Sequence, residues 1–493
     1  MEVTDYIGPL SLIPATVAIL LAFITRNTVF SLAVACLAGV LVAGEGLLGF
    51  PNLLVGALGN EDFSWIFLLE LFIGTLIAFF QRTGAILNFS QFIENRKMTR
   101  KRVQLISWFM GMFVYFSDYF SPLFVGSTMR ALSDRFNISR EKLAYICDST
   151  SAPVSILVPI TGWAVLVAGL IIGMGPIEDA GDAMTAFIIS IPFNIYSILA
   201  VVMVGLIASG ILPDFGPMRV AEERAMKEGK LVRDGAQPLM GDELTSIDPF
   251  PGIKTSLFWN FLFPVLLVIG FALSSVFLTG SARPMESFLL ASVMAAIVMR
   301  VQGVPLFEIT NTAMAGIKGI MPAVIILAFA YALNDLSAAL NTAQYIISVT
   351  ESWLTPSVLP MLAFLITGFV AFSTGTSWGT YAIMIPIAVP LAFSFSGNEL
   401  DTVVYATIAA VSGGGVFGDH CSPLSDTSIL ASTGAASDHI DHVKTQLPYA
   451  AIIGGISVLL YLLVVALSSA AAQAQSFHPN RDFRLGSSEN SAA

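Results

Sequence analysis

Long apolar stretches separated by short polar ones run along most of the chain and predict a bundle of membrane-spanning helices. An α-helix needs about 20 apolar residues to cross a bilayer. Spans are predicted at about 9–25, 28–50, 63–81, 143–175, 184–212, 254–279, 285–301, 316–334, 402–433 and 446–468. Two further apolar runs, 103–128 and 357–395, do not fit a simple crossing.

Basic residues give the run 103–128 an unusual topology. Ten of them flank it, namely Arg82, Arg96, Lys97, Arg100, Lys101 and Arg102 before it and Arg130, Arg135, Arg140 and Lys142 after it. Lys and Arg accumulate on the cytoplasmic side of membrane proteins. Because both flanks are then cytoplasmic, we predict that this run is a re-entrant hairpin.

The second exceptional run shows the opposite charge pattern. Its flanks, 335–356 and 396–401, contain no Lys or Arg, whereas the loop 213–253 carries five and closes the first half on the cytoplasmic side. The predicted fold is therefore an all-α polytopic membrane protein with two inverted-topology repeats, each of about five spans plus a re-entrant hairpin and a discontinuous helix. The predicted divisions are a first repeat at 1–212, a cytoplasmic connecting loop at 213–253, a second repeat at 254–470 and a polar tail at 471–493.

Composition supports a lipid environment. Only 12% of the residues are charged and the mean hydropathy is +0.79, whereas soluble proteins have about 25% charged residues. The three cysteines show no CxxC spacing, which argues against a disulfide framework or a structural zinc site. We expect a multi-pass protein of the inner membrane whose main partner is the lipid bilayer, with no resident cofactor and no nucleic-acid partner.

Four clusters of small and polar residues interrupt the apolar pattern. Two lie in the predicted hairpins, at 116–128 and 372–386, and two in the spans that follow, at 147–159 and 413–430. Unwound backbone is costly in lipid and persists where it lines a cavity or binds a ligand. Close helix packing also uses small residues, but four clusters that match an inverted repeat favour a transport site near the membrane midplane.

Ionisable side chains in these clusters are the candidates for the transport chemistry. They are Asp118, Asp148, Asp419, His420 and Asp426. Charges within a bilayer are expensive and usually functional. We predict that Asp148, Asp419 and Asp426 compensate the charge of Na+, and that His420 and Asp419 are linked to the proton.

Other ionisable residues allow more than one interpretation. Glu70 is either functional or merely paired within its span. His439 and His442, with neighbouring aspartates, are predicted to form a polar cap or pH-responsive patch near the cytoplasmic surface. A transition-metal site there, or a catalytic thiol at Cys421, fits the pattern less well.

The stretch GGGVFGDHCSPLSDTSILASTGAASDHIDHVKTQLPYA at 413–450 resembles a motif of the NhaC-type Na+/H+ antiporter family, part of the ion transporter superfamily. The segment SREKLAYICDSTSAPVSILVPITGW at 139–163 looks like the other characteristic block of that family. The resemblance implies inverted repeats with hairpins and discontinuous helices. It also implies a homodimer with a scaffold part and a moving transport part.

The resemblance also implies where Na+ or a substrate binds. The predicted positions are Ser117, Asp118, Ser121, Asp148, Ser149, Thr150, Ser151, Pro153, Ser373, Thr374, Gly375, Thr376, Ser377, Asp419, Ser422, Pro423, Ser425, Asp426 and Thr427.

The leading functional hypothesis is Na+/H+ antiport by alternating access, with Na+ and H+ as the transported or coupling ions. The alternative is Na+- or H+-coupled transport of a small organic acid or amino acid, including malate–lactate exchange. An intramembrane enzyme is the third possibility, but no convincing nucleophile–base pair occurs on neighbouring spans.

Overall fold

Regular structure in the described part of the chain is helical. The computed structural model describes residues 7–25, 27–86, 88–89, 98–115, 118–159, 161–239, 247–279, 283–350, 355–356 and 358–476. The first-half helices are α1 (Ile13–Thr25), α2 (Thr28–Val42), α3 (Gly49–Leu58), α4 (Glu61–Arg82), α5 (Arg100–Phe113), α6 (Phe120–Arg135), α7 (Arg140–Ser149), α8 (Ala152–Ser155), α9 (Gly162–Ile171), α10 (Ala180–Ser190), α11 (Ile195–Ala208) and α12 (Gly216–Glu228). The others are α13 (Phe263–Thr279), α14 (Pro284–Val301), α15 (Leu306–Ala339), α16 (Thr342–Thr350), α17 (Leu359–Thr374), α18 (Ser377–Phe395), α19 (Thr402–Cys421), α20 (Asp426–Ala435) and α21 (His439–Ser476). Two 3₁₀ turns, Gly8–Leu12 and Ile191–Phe193, and a π-helical turn, Phe258–Leu262, complete this set.

Four helical stretches among the described residues are long and apolar enough to cross a membrane alone: Phe63–Arg82, Leu306–Ala339, Ser377–Phe395 and His439–Leu467. A bent pair, Ala180–Phe193 with Ile195–Ala208, gives a fifth if counted as one span. Several other predicted spans are divided into shorter helices, because turns interrupt them. Together the apolar helices make the chain a multi-pass membrane protein.

All four predicted interruptions are present as breaks between helices. α5 ends at Phe113 and α6 begins at Phe120, and α17 and α18 are separated at 375–376. α7 and α8 are separated at 150–151, and α19 and α20 at 422–425. The arms of each predicted hairpin pack on each other. At 19 residues, α18 is also long enough to cross the membrane, and the sidedness of both hairpins stays a prediction.

Two large apolar cores hold the bundle together, and each draws on both halves of the chain. One joins residues of α4, such as Leu69 and Ile73, to residues of α15, such as Leu327. The other joins Trp163 on α9 to Tyr381 and Val411 on α18 and α19. The two predicted repeats are therefore interleaved in space.

The connector, residues 213–253, differs from the solvated loop that the sequence suggests. It contains α12, whose Met218, Ala221, Glu222 and Ala225 are buried. These positions recur at the spacing of one helix face. The connector helix therefore packs against the membrane bundle.

Candidate ion-binding site

Asp148 lies at the centre of the best-formed polar cluster. It is the penultimate residue of α7, where the first broken span is interrupted, and its side chain is fully buried. Ser151 donates its hydroxyl to the Asp148 carbonyl at 2.7 Å, and Pro153 lies in the first turn of the next short helix. Polar side chains at the break thus satisfy backbone groups that lose their helical partners.

One oxygen of the Asp148 carboxylate is held by side chains from the second half of the chain. Its Oδ2 accepts hydrogen bonds from Ser428 Oγ at 2.8 Å and Gln446 Nε2 at 2.6 Å. His442 Nε2 lies 3.4 Å from the same oxygen. The break in the first half is therefore closed by α20 and α21 of the second half.

His420 is part of the same cluster. Its Nε2 lies 3.3 Å from the Asp148 carbonyl oxygen, and its Nδ1 lies 3.1 Å from the Tyr196 hydroxyl. Its own carbonyl accepts from Gln446 Nε2 at 3.1 Å. Since Gln446 bonds to both Asp148 and His420, it fixes the relative positions of α7, α19 and α21.

Several oxygen atoms in and near this cluster are buried without a hydrogen-bond partner. They include Asp148 Oδ1, Gln446 Oε1 and Asp419 Oδ1. Buried polar atoms in proteins are nearly always paired. Carboxylate and amide oxygens are hard ligands suited to small hard cations. The Asp148 cluster therefore contains unpaired oxygen atoms of a kind that can bind a small hard cation.

A second acidic group is formed by Asp118 at the tip of the first hairpin and Asp426 at the start of α20. The indole N–H groups of Trp163 and Trp378 approach Asp118, but Asp118 Oδ2 and both indole nitrogens remain unpaired. The two indole rings meet edge to face with centroids 5.5 Å apart. Tyr119 donates its hydroxyl to Asp426 Oδ2 at 2.9 Å.

Asp419 interacts electrostatically with both groups. Its buried carboxylate is exposed to the charges of Asp426, Asp148 and Asp118 and lies near the backbone N–H of Ser377. Among the described residues, no three His, Cys, Asp or Glu side chains are close enough to share one metal ion. Asp148, Asp419 and Asp426 thus lie in one polar region without meeting at a single point.

Most of the predicted hydroxyl residues lie at the four breaks and bond to the backbone. Hydroxyls that donate to carbonyl oxygens belong to Ser121, Thr150, Ser151, Ser373, Thr374 and Ser422. Ser425 and Thr427 bond to each other at 3.0 Å. These bonds leave lone pairs on the hydroxyl oxygens, so a cation can still be bound.

The remaining predicted positions shape the breaks. Ser149 is buried at the end of α7, and the hydroxyl of Ser377 is buried and unpaired at the start of α18. Gly375 has a φ of +78°, and a Cβ there would lie 2.6 Å from the Leu424 carbonyl oxygen, so this tip requires glycine.

The last predicted positions are at the ends of the breaks. Thr376 is the N-cap residue of α18. The Pro423 carbonyl oxygen lies 2.9 Å from His439 Nε2. Ser117 lies outside the described residues.

The prediction of a surface patch at His439 and His442 is wrong. Both rings are buried, as are Asp438 and Asp441 beside them. α21 begins at His439, which bonds to Ser432 and faces the Pro423 carbonyl, while His442 faces Asp148. The connector covers this end of α21, so residues next to a span boundary are enclosed by protein.

Four residues that interact at the site were missed from the sequence: Ser428, His442, Gln446 and Tyr196. A usable signal existed for two of them. His442 and Gln446 are four residues apart and therefore lie on one face of a helix. Tyr196 and Ser428 carry no local pattern that marks them, since their contacts with His420 and Asp148 are long-range.

Comparison with known proteins identifies the family of the chain. The profile of the Na+/H+ antiporter family matches residues 163–465. An uncharacterized protein of Haemophilus influenzae is 31% identical over 94% of this chain and 92% of its own length. A malate-2H+/Na+-lactate antiporter of Bacillus subtilis is 28% identical over 38% of this chain and 39% of its own length. An uncharacterized Na+/H+ antiporter of H. influenzae is 31% identical over 36% of each chain. With more than half of its length matched, the chain belongs to the Na+/H+ antiporter family.

Proposed function

We propose that the chain is a Na+/H+ antiporter of the inner membrane that works by alternating access. The observation that carries the proposal is the buried Asp148 carboxylate. One of its oxygens is oriented by Ser428 and Gln446, while the other oxygen is unpaired. Membership of the family supports the same activity.

In the proposed mechanism, Na+ and H+ compete for Asp148. An ionised carboxylate buried away from water is costly unless a cation or hydrogen-bond donors compensate its charge. Na+ binds to Asp148 Oδ1 and Gln446 Oε1, and a proton replaces it when the ion leaves. Either cation neutralises the Asp148 carboxylate, so the site can change its access from one side of the membrane to the other without carrying an uncompensated negative charge.

The neighbouring groups have separate proposed roles. Asp419, which faces the charges of both acidic groups, adds negative potential that attracts a cation. His420 connects Tyr196 to the Asp148 backbone, and we propose that it relays the proton that exchanges at Asp148. His442 faces Asp148 Oδ2 and helps to hold the carboxylate in place.

The experiment is Na+-driven proton flux in proteoliposomes with an acidic lumen and a trapped pH dye. Addition of Na+ should dissipate the gradient, and addition of choline should not. Asp148→Asn should remove at least nine-tenths of the flux, because an amide neither takes up a proton nor carries charge. The control is Glu399→Gln, which changes an exposed carboxylate and should retain wild-type flux.

A wild-type protein that gives no Na+-dependent flux would refute Na+/H+ exchange. Wild-type flux in Asp148→Asn would refute the proposed role of Asp148 but would leave Na+/H+ exchange itself standing. Immunoblotting and size-exclusion elution of each variant establish that the protein is present and folded.

Coupled transport of a small organic solute is the second candidate. The supporting observation is the Asp118 group, where the rings of Trp163, Trp378 and Tyr381 lie together at the hairpin tips. Aromatic rings provide apolar contact area for an organic solute. Vesicles challenged with malate, lactate and individual amino acids test this candidate, because solute-dependent flux requires a site of this type.

A further inference from the structure

The connector makes a continuous set of polar contacts with two helices that form the Asp148 cluster. We propose that residues 214–239 position the ends of α7 and α21, and thereby set the affinity of the Asp148 cluster for its cation. The residues that form these contacts are named the clamp: Asp214, Glu222, Arg224 and Arg233 on the connector. This inference rests on the proposed function for its kinetic test and is independent of it for its structural test.

The first part of the clamp holds the start of α7. Arg224 Nη2 contacts both oxygens of Glu141, at 2.8 and 2.9 Å. Asp214 pairs with the fully buried Lys142. Glu222 accepts from the backbone N–H of Ser139 at 2.9 Å and pairs with Arg100 on α5. Two ion pairs and one hydrogen bond from a backbone N–H to a carboxylate therefore fix this helix end.

The second part holds the start of α21. Arg233 Nε donates to Asp441 Oδ2 at 2.8 Å. The backbone N–H of Gln237 donates to Asp438 Oδ2 at 2.7 Å, and that of Leu239 donates to the Ser437 carbonyl at 3.2 Å. The backbone of the connector thus follows the chain immediately before α21.

Apolar packing joins the two parts. Met218 of α12 is fully buried in a small core with Tyr145 of α7 and Tyr449 of α21. The Tyr145 and Tyr449 rings are stacked with centroids 4.8 Å apart. Tyr449 also donates its hydroxyl to Asp214 at 3.2 Å. One short helix therefore connects both site helices.

The residues that the clamp contacts are close to the site along each helix. Lys142 lies less than two turns before Asp148 on α7, at 3.6 residues a turn. Asp441 directly precedes His442, and Tyr449 lies one turn after Gln446 on α21. Because a helix is stiff over this distance, a shift of either clamped end moves Asp148 relative to its partners. A displacement of even 1 Å at a site can be costly.

A clamp that only stabilises the fold would lower the stability of the protein when it is removed, without altering the cation affinity of the Asp148 cluster. The test therefore separates an effect on stability from an effect on affinity. Arg224→Met removes one partner of a buried ion pair and leaves Glu141 uncompensated, which can prevent folding. The double variant Arg224→Met/Glu141→Gln removes both charges and avoids that penalty. Lys227→Met changes an exposed basic residue on the same helix and is the matched control.

The kinetic test measures Na+-driven proton flux against Na+ concentration. The double variant should raise the half-saturating Na+ concentration about tenfold and change the maximal rate less than twofold. Arg224→Lys, with Glu141 unchanged, should have a Na+ affinity between those of the wild type and the double variant, because a single ammonium replaces the guanidinium imperfectly. A half-saturating concentration equal to that of Lys227→Met would overturn the proposal.

The structural test needs no transport assay. Cys147 is buried beside Asp148, so its reaction with a small maleimide reports on the end of α7. In a Cys36→Ser/Cys421→Ser background, the double variant should label Cys147 at least fivefold faster than the Lys227→Met control. Equal labelling rates would show that the clamp does not position this helix end, whatever ion the protein transports.

Discussion

At the scale of single residues, cation binding in the proposed mechanism depends on how the Asp148 carboxylate is held. A buried carboxylate is oriented by donors that approach from fixed directions, and Ser428 donates at 2.8 Å from another helix. A hydrogen bond to a charged group contributes about 1.5–3 kcal/mol. Each donor therefore affects cation binding by roughly one to two powers of ten, at 1.4 kcal/mol a power.

We predict that Ser428→Ala raises the half-saturating Na+ concentration about tenfold, because Asp148 loses one of its donors. The measurement is Na+-dependent flux in proteoliposomes. Ser457→Ala is the control, since Ser457 is a buried serine on α21 that donates to the Ile453 carbonyl. Equal Na+ dependence in the two variants would contradict the assignment of Ser428 to the site.

The carboxylates of the site could be predicted from the sequence, whereas the residues that bond to them could be predicted only in part. Asp118, Asp148, Asp419 and Asp426 stand out because a charge within an apolar stretch is conspicuous. The buried state of His442 could not be predicted, because the segment that covers it is more than 200 residues away along the chain. A hydropathy pattern shows where a span ends along the chain. It contains no information on which distant segment packs over that end.

At the scale of elements, close backbone contact holds the first hairpin against the second broken span. Gly126 of α6 and Gly434 of α20 face each other, and a Cβ at Gly434 would lie 2.4 Å from the Pro122 carbonyl oxygen. Small residues allow such contact between membrane helices. This packing brings α20, which carries Ser428, next to the hairpin.

We predict that Gly434→Ala destabilises the protein by about 1–3 kcal/mol, because the added methyl group forces α6 and α20 apart. Thermal unfolding in detergent measures the effect. Gly455→Ala on α21 is the control, since a Cβ at that position meets no atom within 4 Å. An unfolding temperature for Gly434→Ala as high as that of the control would show that the contact is not tight.

The breaks in the helices could be predicted, whereas α12 was not. Clusters of Gly, Ser, Pro and Asp at membrane depth disfavour helix locally, so their effect is visible in the sequence. α12 also has local signals, with Pro217 in its first turn and Gly229 at φ +70° after its end. Its mixed charges suggested a solvated loop, because the partners that neutralise Glu222 and Arg224 lie on other helices.

At the scale of the whole molecule, the two halves of the chain share their cores. Leu69 of α4 and Leu327 of α15 belong to one core, and Trp163 of α9 and Tyr381 of α18 belong to the other. The Asp148 cluster is likewise built from α7 of the first half and α20 and α21 of the second. Charge counting predicts two repeats along the chain and contains no information on this interleaving.

We predict that neither half of the chain folds alone, because each would expose the apolar surface that it buries against the other. Residues 1–239 and 240–493 should each aggregate when expressed separately and should elute together as one species when co-expressed. Size-exclusion chromatography in detergent is the measurement. A stable, protease-resistant first half on its own would show that the cores are independent.

The most direct test of the central claim is whether binding of Na+ releases protons from Asp148. Titration calorimetry of purified protein with Na+, in two buffers of different ionisation enthalpy, measures the protons released for each ion bound. We expect net proton release in the wild-type protein and none in Asp148→Asn. Na+ binding without proton release in the wild type, or unchanged release in Asp148→Asn, would contradict exchange of the two ions at this carboxylate.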